Sequence, residues 1–313
     1  YFPSVSLGWR ISKEKFFRIA SISELKFRAS WGKLGNQEVG DYVYLPTYGV
    51  SSFYLFGGQQ QPAIIEGELA NQILTWEKTT ANNIGLDLGM FDNRFILSAD
   101  YFVKNTDDIL MRIDQPGILG AVGPVVNAGA VKNTGFEIDA GFKDQAGKVN
   151  YYVRANFSKV KNEITNLAGT DRPGFRVGDP LQNNFGYSAL GLFQSQQEID
   201  NHASQAALGA APKPGDIKYA DLNKDNKVDA EDRENLGTSF PGITYGFSLG
   251  ADYKGFDFSM VWQGVADRKI MGAGRFIQPF WLGASPLQYQ MDSWTTDNTD
   301  AKFPRASFNN ASN

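Results

Sequence analysis

The chain has 313 residues, a formal net charge of -4 and no cysteine. That length suits one large or two ordinary domains, the mild acidity excludes the basic footprint of a nucleic-acid-binding surface, and the absence of thiols excludes a disulfide scaffold and cysteine chemistry. No apolar run approaches the ~20 residues of a membrane-spanning helix, and the opening "YFPSVSLGWR" already reads as a strand rather than a signal peptide.

In chain order, the elements expected are strands, because apolar and polar residues alternate with period two. Val5, Leu7, Trp9 and Ile11 alternate with Ser4, Ser6, Gly8 and Arg10, and Leu25, Phe27, Ala29 and Trp31 with Lys26, Arg28 and Ser30. Ile84, Leu86, Leu88 and Met90 oppose Gly85, Asp87 and Gly89, and Phe95, Leu97, Ala99, Tyr101 and Val103 face away from Arg94, Ser98, Asp100 and Lys104. Phe136, Ile138, Ala140 and Phe142 form a further apolar face, followed by Val149, Tyr151, Val153, Ala155 and Phe157. Tyr245 to Tyr253 and Phe256 to Trp262 repeat the pattern on either side of Lys254-Gly255, as a hairpin with a tight turn would. In all, about eight strands are expected, each with one apolar, often aromatic face and one face of Gly, Ser and charged residues.

The connections between these strands alternate in length. Asp92-Asn93, "KDQAGK" at 143–148 and Lys254-Gly255 are short and 12–24 is moderate, whereas 32–74, 105–130, 160–242 and everything after 264, through the closing "SFNNASN", are long. In an up-and-down meander, successive connections lie at opposite ends, so the long ones gather at one end. Short turns at one end and long loops at the other are the arrangement of an outer-membrane barrel, and a soluble sandwich gives no reason for it. The expected fold is therefore all-β: part of an antiparallel up-and-down transmembrane β-barrel with long extracellular loops. Trp9, Trp31, Trp76 and Trp262 fall near strand ends, where interfacial aromatic girdles belong.

One stretch stands apart: "DLNKDNKVDAED", residues 221–232. Asp221, Asn223, Asp225, Asp229 and Asp232 occupy the first, third, fifth, ninth and twelfth positions, the oxygen-ligand spacing of an EF-hand-type loop. Lys227 would add its backbone carbonyl, completing the hard oxygen set that Ca2+ requires. Asn226 replaces the usual turn glycine and Asp232 the usual Glu, as in dockerin-type loops, while Val228 is the apolar residue that pins such a loop. The expectation is a structural Ca2+ site in an extracellular loop spanning 160–242; a solvated acidic turn is the alternative.

Other chemistry is sparse. His202 is the single histidine, in "QEIDNHASQAAL", expected to be a short helix with an ordinary surface histidine, so no triad or histidine zinc site can be built. Asp107-Asp108 lacks the geometry of a glycosidase pair, and no phosphate-binding glycine motif is present. No enzyme is expected. Two aromatic clusters are candidate contacts for sugar rings or a partner protein, with loop packing as the alternative. Tyr54 and Phe56 represent "YVYLPTYGVSSFYLFGG", and Phe280 and Trp281 represent "GAGRFIQPFWLGASPLQYQMDSW".

Three long segments, in order, resemble the SusC/RagA-type TonB-dependent transporters of Bacteroidetes outer membranes. They are "FPSVSLGWRISKEKFF" with "ISELKFRASWGKLGNQEVGDY"; "LTWEKTTANNIGLDLGMFDNRFILSADYFVKNTDDILM" with "NAGAVKNTGFEIDAGF"; and "GDIKYADLNKDNKVDAEDRENLGTSFPGITYGFSLGADYKGFDFSMVWQGV". The resemblance implies a plug domain inside a barrel of about 22 strands. Residues 1–313 would then be a piece of its C-terminal wall, without the plug, the TonB box or the last strands. It further implies a wall surrounded by outer-membrane lipid, energy from the TonB–ExbB–ExbD complex, a SusD-like lipoprotein lid, and oligosaccharide or oligopeptide cargo. A calcium-stabilised surface adhesin or glycan-binding β module is the competing reading.

Overall fold

The computed structural model describes residues 1–36, 38, 42, 44–113, 116–120, 122–170, 174–209 and 211–306, so "SFNNASN" lies outside the described residues. In chain order the strands are β1 (Ser4–Arg10), β2 (Ile22–Asn36), β3 (Tyr48–Phe56), β4 (Gln59–Glu66), β5 (Glu77–Met90), β6 (Phe95–Arg112), β7 (Val125–Ala146) and β8 (Val149–Asn166). There follow β9 (Asn183–Tyr187), β10 (Ala189–Leu192), helix α1 (Gln196–Asp200), β11 (Ile217–Tyr219), β12 (Arg233–Thr238), β13 (Ile243–Tyr253) and β14 (Phe256–Ala266). The chain divides into two compact units, one of residues Tyr1–Leu181 with Pro241–Asp267, the other of Gln182–Phe240 with the segment from Arg268 onward.

In the first unit, eight strands form one antiparallel sheet in the order β1-β2-β5-β6-β7-β8-β13-β14, with β1 and β14 as its edges. This is the meander expected from the alternation. Its register aligns residues of like chemistry across the whole sheet. Trp9, Phe27, Leu86, Ala99, Ile138, Phe157, Tyr245 and Gly264 are successive cross-strand partners, and none is charged. One residue along, on the opposite face, the row reads Arg10, Lys26, Asp87, Ser98, Asp139, Asn156, Gly246 and Gln263. Strand side chains alternate between faces, so the sheet has one apolar and one polar surface. The apolar one is open: Leu7 is 73% exposed and Ile84 63%. A continuous apolar surface of this extent is covered by something, and lipid is the medium that tolerates it across every strand. Phe95 to Val103 on β6 spans about 27 Å along the strand, which suits a tilted crossing of an apolar band ~25 Å tall.

The short turns follow from local chemistry. Lys254 (φ 49°) and Gly255 (φ 88°) are both left-handed, as the two central residues of a type I′ hairpin must be, and glycine occupies the second at no steric cost. The β7–β8 turn is tighter than "KDQAGK" suggested: pairing continues from Lys143 to Ala146 against Tyr152 to Val149, leaving Gly147 and Lys148.

The long connections are correspondingly shorter than alternation predicted. β8 continues to Asn166, so the 160–242 loop begins at 167; β6 runs to Arg112 and β7 starts at Val125, which reduces 105–130 to 113–124. The apolar residues change faces there, which is why the pattern broke. Lys159, Lys161 and Glu163 take the outward positions of β8, while the inward Ile164 packs with Val131 and Leu167 in a core flanked by Ile109, Met111 and Phe175. Beyond the lipid, the outer surface meets water and the inner one is covered. The 32–74 connection contains the hairpin β3–β4.

The second unit is a small body with its own core. β9 pairs with β12 and β10 with β11, and α1 is capped by the Ser195 hydroxyl, which accepts the Glu198 N–H at 3.2 Å. Phe193 and Val228 are fully buried. Asp216 is buried too, accepting the Lys213 N–H at 2.8 Å and a guanidinium N–H of Arg305 at 3.1 Å. Gly215 beside it has φ 91°, and a Cβ there would lie 2.3 Å from the Trp294 ring. Gly215→Val therefore meets both a left-handed backbone and a filled site. It is expected to destabilise this unit by about 3 kcal/mol or more, read as faster amide exchange at residues 192–194.

Candidate functional site: a polar inner wall and an oxygen-rich loop

The inner surface of the sheet carries a network that joins three strands. Arg28 on β2 donates from Nε to Asp87 on β5 at 2.9 Å and from its two terminal nitrogens to Asp100 on β6, each at 2.8 Å. Ser98 accepts from Arg28 at 3.1 Å and donates to Asp87 at 3.0 Å. The planar guanidinium suits such a fork, which a lysine could not reproduce. Sequence reasoning noted these charges only as polar strand positions. The available signal was that they recur at inward positions of consecutive strands; register was needed to bring them together. Toward the short turns, the same surface forms an open groove of about 750 Å3, lined in part by Arg94, Lys143, Tyr152, Arg154, Asp252 and Asp257. The Arg154 guanidinium lies 5.9 Å from the Tyr152 ring. Such a wall can hold hydrogen-bonding solutes and water.

The oxygen-rich loop lies in the second unit, between β11 and β12, and its local chemistry winds it tightly. Asp221 accepts the Lys224 N–H at 2.7 Å and the Asn226 N–H at 2.9 Å, Asn223 accepts from Asp225 at 3.0 Å, and Asp225 accepts from Lys227 at 2.9 Å. Lys224 and Asn226 are left-handed (φ 63° and 66°); asparagine tolerates that state well, which fits its place as the glycine substitute. Val228 pins the loop as expected: it is fully buried, and its N–H donates to the Ser204 carbonyl at 2.8 Å. Asp232 is fully buried, and its carboxylate accepts N–H groups from Asp229 at 2.8 Å, Leu222 at 2.8 Å and Asn223 at 3.3 Å. The Asp229 N–H above all, aided by those of Leu222 and Asn223 and opposed by desolvation, holds its pKa below the usual aspartate range.

For a cation, the six named residues offer an all-oxygen donor set, the chemistry of Ca2+ rather than of a softer metal. Among the described residues, no three His, Cys, Asp or Glu side chains converge as a metal cluster, so coordination would draw on the Asn223 amide and the Lys227 carbonyl as well. Asp232, expected as the closing ligand, has one carboxylate oxygen accepting from Leu222 and Asn223 and the other from Asp229, which leaves a lone pair on the second oxygen alone.

The other candidates are dispersed. Tyr54 and Phe56 share a face of β3 with rings 6.5 Å apart, and both are exposed. Phe280 and Trp281 are exposed in the second unit, Phe280 with a left-handed φ of 62°. The two pairs belong to different units. His202 follows α1 and is half-buried rather than an ordinary surface residue: its Nε2 lies 2.8 Å from the Tyr219 carbonyl oxygen, and its ring meets Phe193 edge-on at 5.3 Å. Its role is packing.

Among the described residues no helix is long and apolar enough to cross a membrane. An antiparallel meander with an open apolar outer surface, a charged inner surface and short turns segregated from long loops is the wall of a transmembrane β-barrel. Sequence comparison places this wall in a family. Residues 1–312 match the family described as TonB dependent receptor-like, beta-barrel. A TonB-dependent receptor of Formosa agariphila is 30% identical over 324 residues, covering 98% of this chain and 32% of that protein. The TonB-dependent receptor SusC of Bacteroides thetaiotaomicron is 31% identical over 276 residues, covering 82% and 26%. The solved RagAB peptide transporter superposes with a TM-score of 0.77 at 23% identity, covering 97% of this chain and 34% of that one, a likeness of fold. The chain belongs to the TonB-dependent receptor β-barrel family, whose members are outer-membrane receptors and transporters rather than a class of enzymes. It spans about a third of the length of the relatives it matches.

Proposed function

We propose that this chain forms part of the wall of a TonB-dependent importer, which takes up oligosaccharides or oligopeptides with a SusD-like surface lipoprotein and is energised by TonB–ExbB–ExbD. The observation that carries this is the two-faced sheet, with an uncharged outward row across eight strands and a charged inward row beside it. The family and its SusC and RagAB relatives supply the transporter context. Tyr54, Phe56, Phe280 and Trp281 are the side chains assigned to cargo or lipoprotein contact. Deletion of the gene is expected to abolish accumulation of labelled oligosaccharides or oligopeptides, with rescue by the intact gene and loss on adding a protonophore. Uptake that is unaffected by both deletion and de-energisation would sink the reading.

The second part of the proposal is that Asp221, Asn223, Asp225, Lys227, Asp229 and Asp232 hold a structural Ca2+. The ligand spacing supports it, and the mutual repulsion of clustered carboxylates gives the ion a stabilising role. Chelation is expected to lower the unfolding temperature of the second unit and to open 221–232 to proteolysis. Asp221→Asn with Asp225→Asn should weaken calorimetric Ca2+ binding by about 10-fold or more. Melting indifferent to both chelator and added Ca2+ would remove the ion.

A further inference from the structure

The outward surface of the sheet turns basic at one end only. On β7 and β8, the outward positions nearest the long connections are Lys132, Thr134 and Phe136, opposite Glu163, Lys161 and Lys159. The outward positions of the same strands nearest their short turn are Phe142, Asp144, Ala146, Val149 and Tyr151, with no cation among them. The three lysines are exposed, and Lys132 and Lys159 are in no ion pair among the described residues. Lys161 pairs with Glu163 at 2.6 Å. Strand geometry sets Lys159 and Lys161 about 7 Å apart, and Lys132 about 7–8 Å diagonally from Lys161, so three long flexible side chains can converge on one anion.

The same register sets their depth. Val153 is at the middle of the apolar face of β8 that runs from Val149 to Phe157, and Lys159 and Lys161 follow further along the strand. At about 3.4 Å per residue and a tilt of about 40°, they lie roughly 16 and 21 Å from the middle of the apolar band. Hydrocarbon ends about 13–15 Å from that middle and headgroups at about 20–22 Å, so both lysines are at headgroup level. Tyr101 and Tyr245, the cross-strand partners of Phe136 and Phe157, are half exposed and mark the boundary as interfacial tyrosines do.

We infer that Lys132, Lys159 and Lys161 hold the phosphate of an outer-leaflet lipid, whose acyl chains lie on Phe136 and Phe157, stacked with ring centroids 5.6 Å apart. The site depends on the outward surface facing lipid and not on the cargo. Continuity with the apolar surface selects an amphiphile over a free anion or an acidic protein. Three cations against the single carboxylate of Glu163 select a phosphorylated lipid over a neutral one. Their confinement to the end with the long, extracellular connections selects the outer leaflet.

The test uses the intact transporter purified in detergent, with phosphorylated lipid A and its dephosphorylated form as probes and native mass spectrometry as the readout. The phosphorylated lipid should be retained and the dephosphorylated one lost. At about fivefold per cation, K132Q/K159Q/K161Q should bind the phosphorylated lipid roughly 100-fold more weakly. K132R/K159R/K161R, which keeps every charge, should retain it. E163Q should bind it more tightly, because a repelling carboxylate is gone and Lys161 is released; lysines with a merely structural role would give no such gain. Heat-modifiable gel migration in each variant separates loss of the lipid contact from loss of the barrel. Equal retention by the glutamine triple variant, equal binding of the dephosphorylated lipid, or displacement of the lipid by an equal concentration of inorganic phosphate would each overturn the assignment.

Discussion

Val153→Arg is expected to destabilise the assembled barrel by about 3 kcal/mol, and Asn156→Arg, three residues on, by less than about 1 kcal/mol. Val153 is the middle residue of the apolar face running from Val149 to Phe157, with Phe142 and Leu249 as its cross-strand partners. An arginine there must place its charge in hydrocarbon or bend far to reach a headgroup, and neither neighbour offers a counter-charge. Asn156 points the other way, beside Asp139 and Gly246. An arginine at that position enters the polar surface with a carboxylate opposite, so the cross-strand pair offsets the crowding. Equilibrium unfolding from phospholipid vesicles measures both variants. A soluble β module would give another pattern: the exposed Val153 would tolerate charge, and the two substitutions would differ little. Equal, small losses would therefore overturn the lipid-facing assignment of the whole apolar row.

The wall was legible in the sequence because a strand buried on one side writes its orientation into every second residue. Phe95, Leu97, Ala99, Tyr101 and Val103 needed no partner to identify them. That signal faded wherever the medium changed. After Ser158 the outward positions become Lys159, Lys161 and Glu163 while Ile164 turns inward into a core, so a reader following one apolar face loses the strand although it continues to Asn166. The second unit gave still less. β9 and β12 are five and six residues long and are held by partners such as Tyr187 and Arg233, far apart in sequence. Neither strand is long enough to show a period of its own.

The candidate sites divide along the same line. The oxygen positions of 221–232 were readable because their contacts stay within one short loop, as from Asp221 to Asn226. The Arg28 network was hidden because Asp87 and Asp100 lie 59 and 72 residues away, and nothing local marks which strands become neighbours. His202 reads as a surface residue until Tyr219, 17 residues on, is brought beneath it.

Asp232→Ala is expected to lower the stability of the second unit by about 3 kcal/mol even without any ion. The buried carboxylate accepts three backbone N–H groups, and its removal leaves donors on Leu222, Asn223 and Asp229 facing a void. Asp232→Asn should cost less, about 2 kcal/mol, because an amide oxygen can still satisfy Leu222 and Asn223 while its NH2 opposes the Asp229 N–H. The pH response distinguishes this account from simple loss of volume. Those N–H groups lower the folded-state pKa of Asp232, so the unfolded chain binds the extra proton first as pH falls. The stabilisation is complete above the unfolded aspartate value of about 3.9 and is lost as pH drops toward and through the lower folded value. In wild type, amide exchange at Ser204 and Val228, which pair with the loop, should accelerate on acidification through that window. In Asp232→Asn the same amides should exchange faster from the outset and lose most of that dependence. If the variant kept the wild-type acid response, the pH sensitivity would belong to other carboxylates, and Asp232 would be a packing residue rather than the charged anchor of the loop.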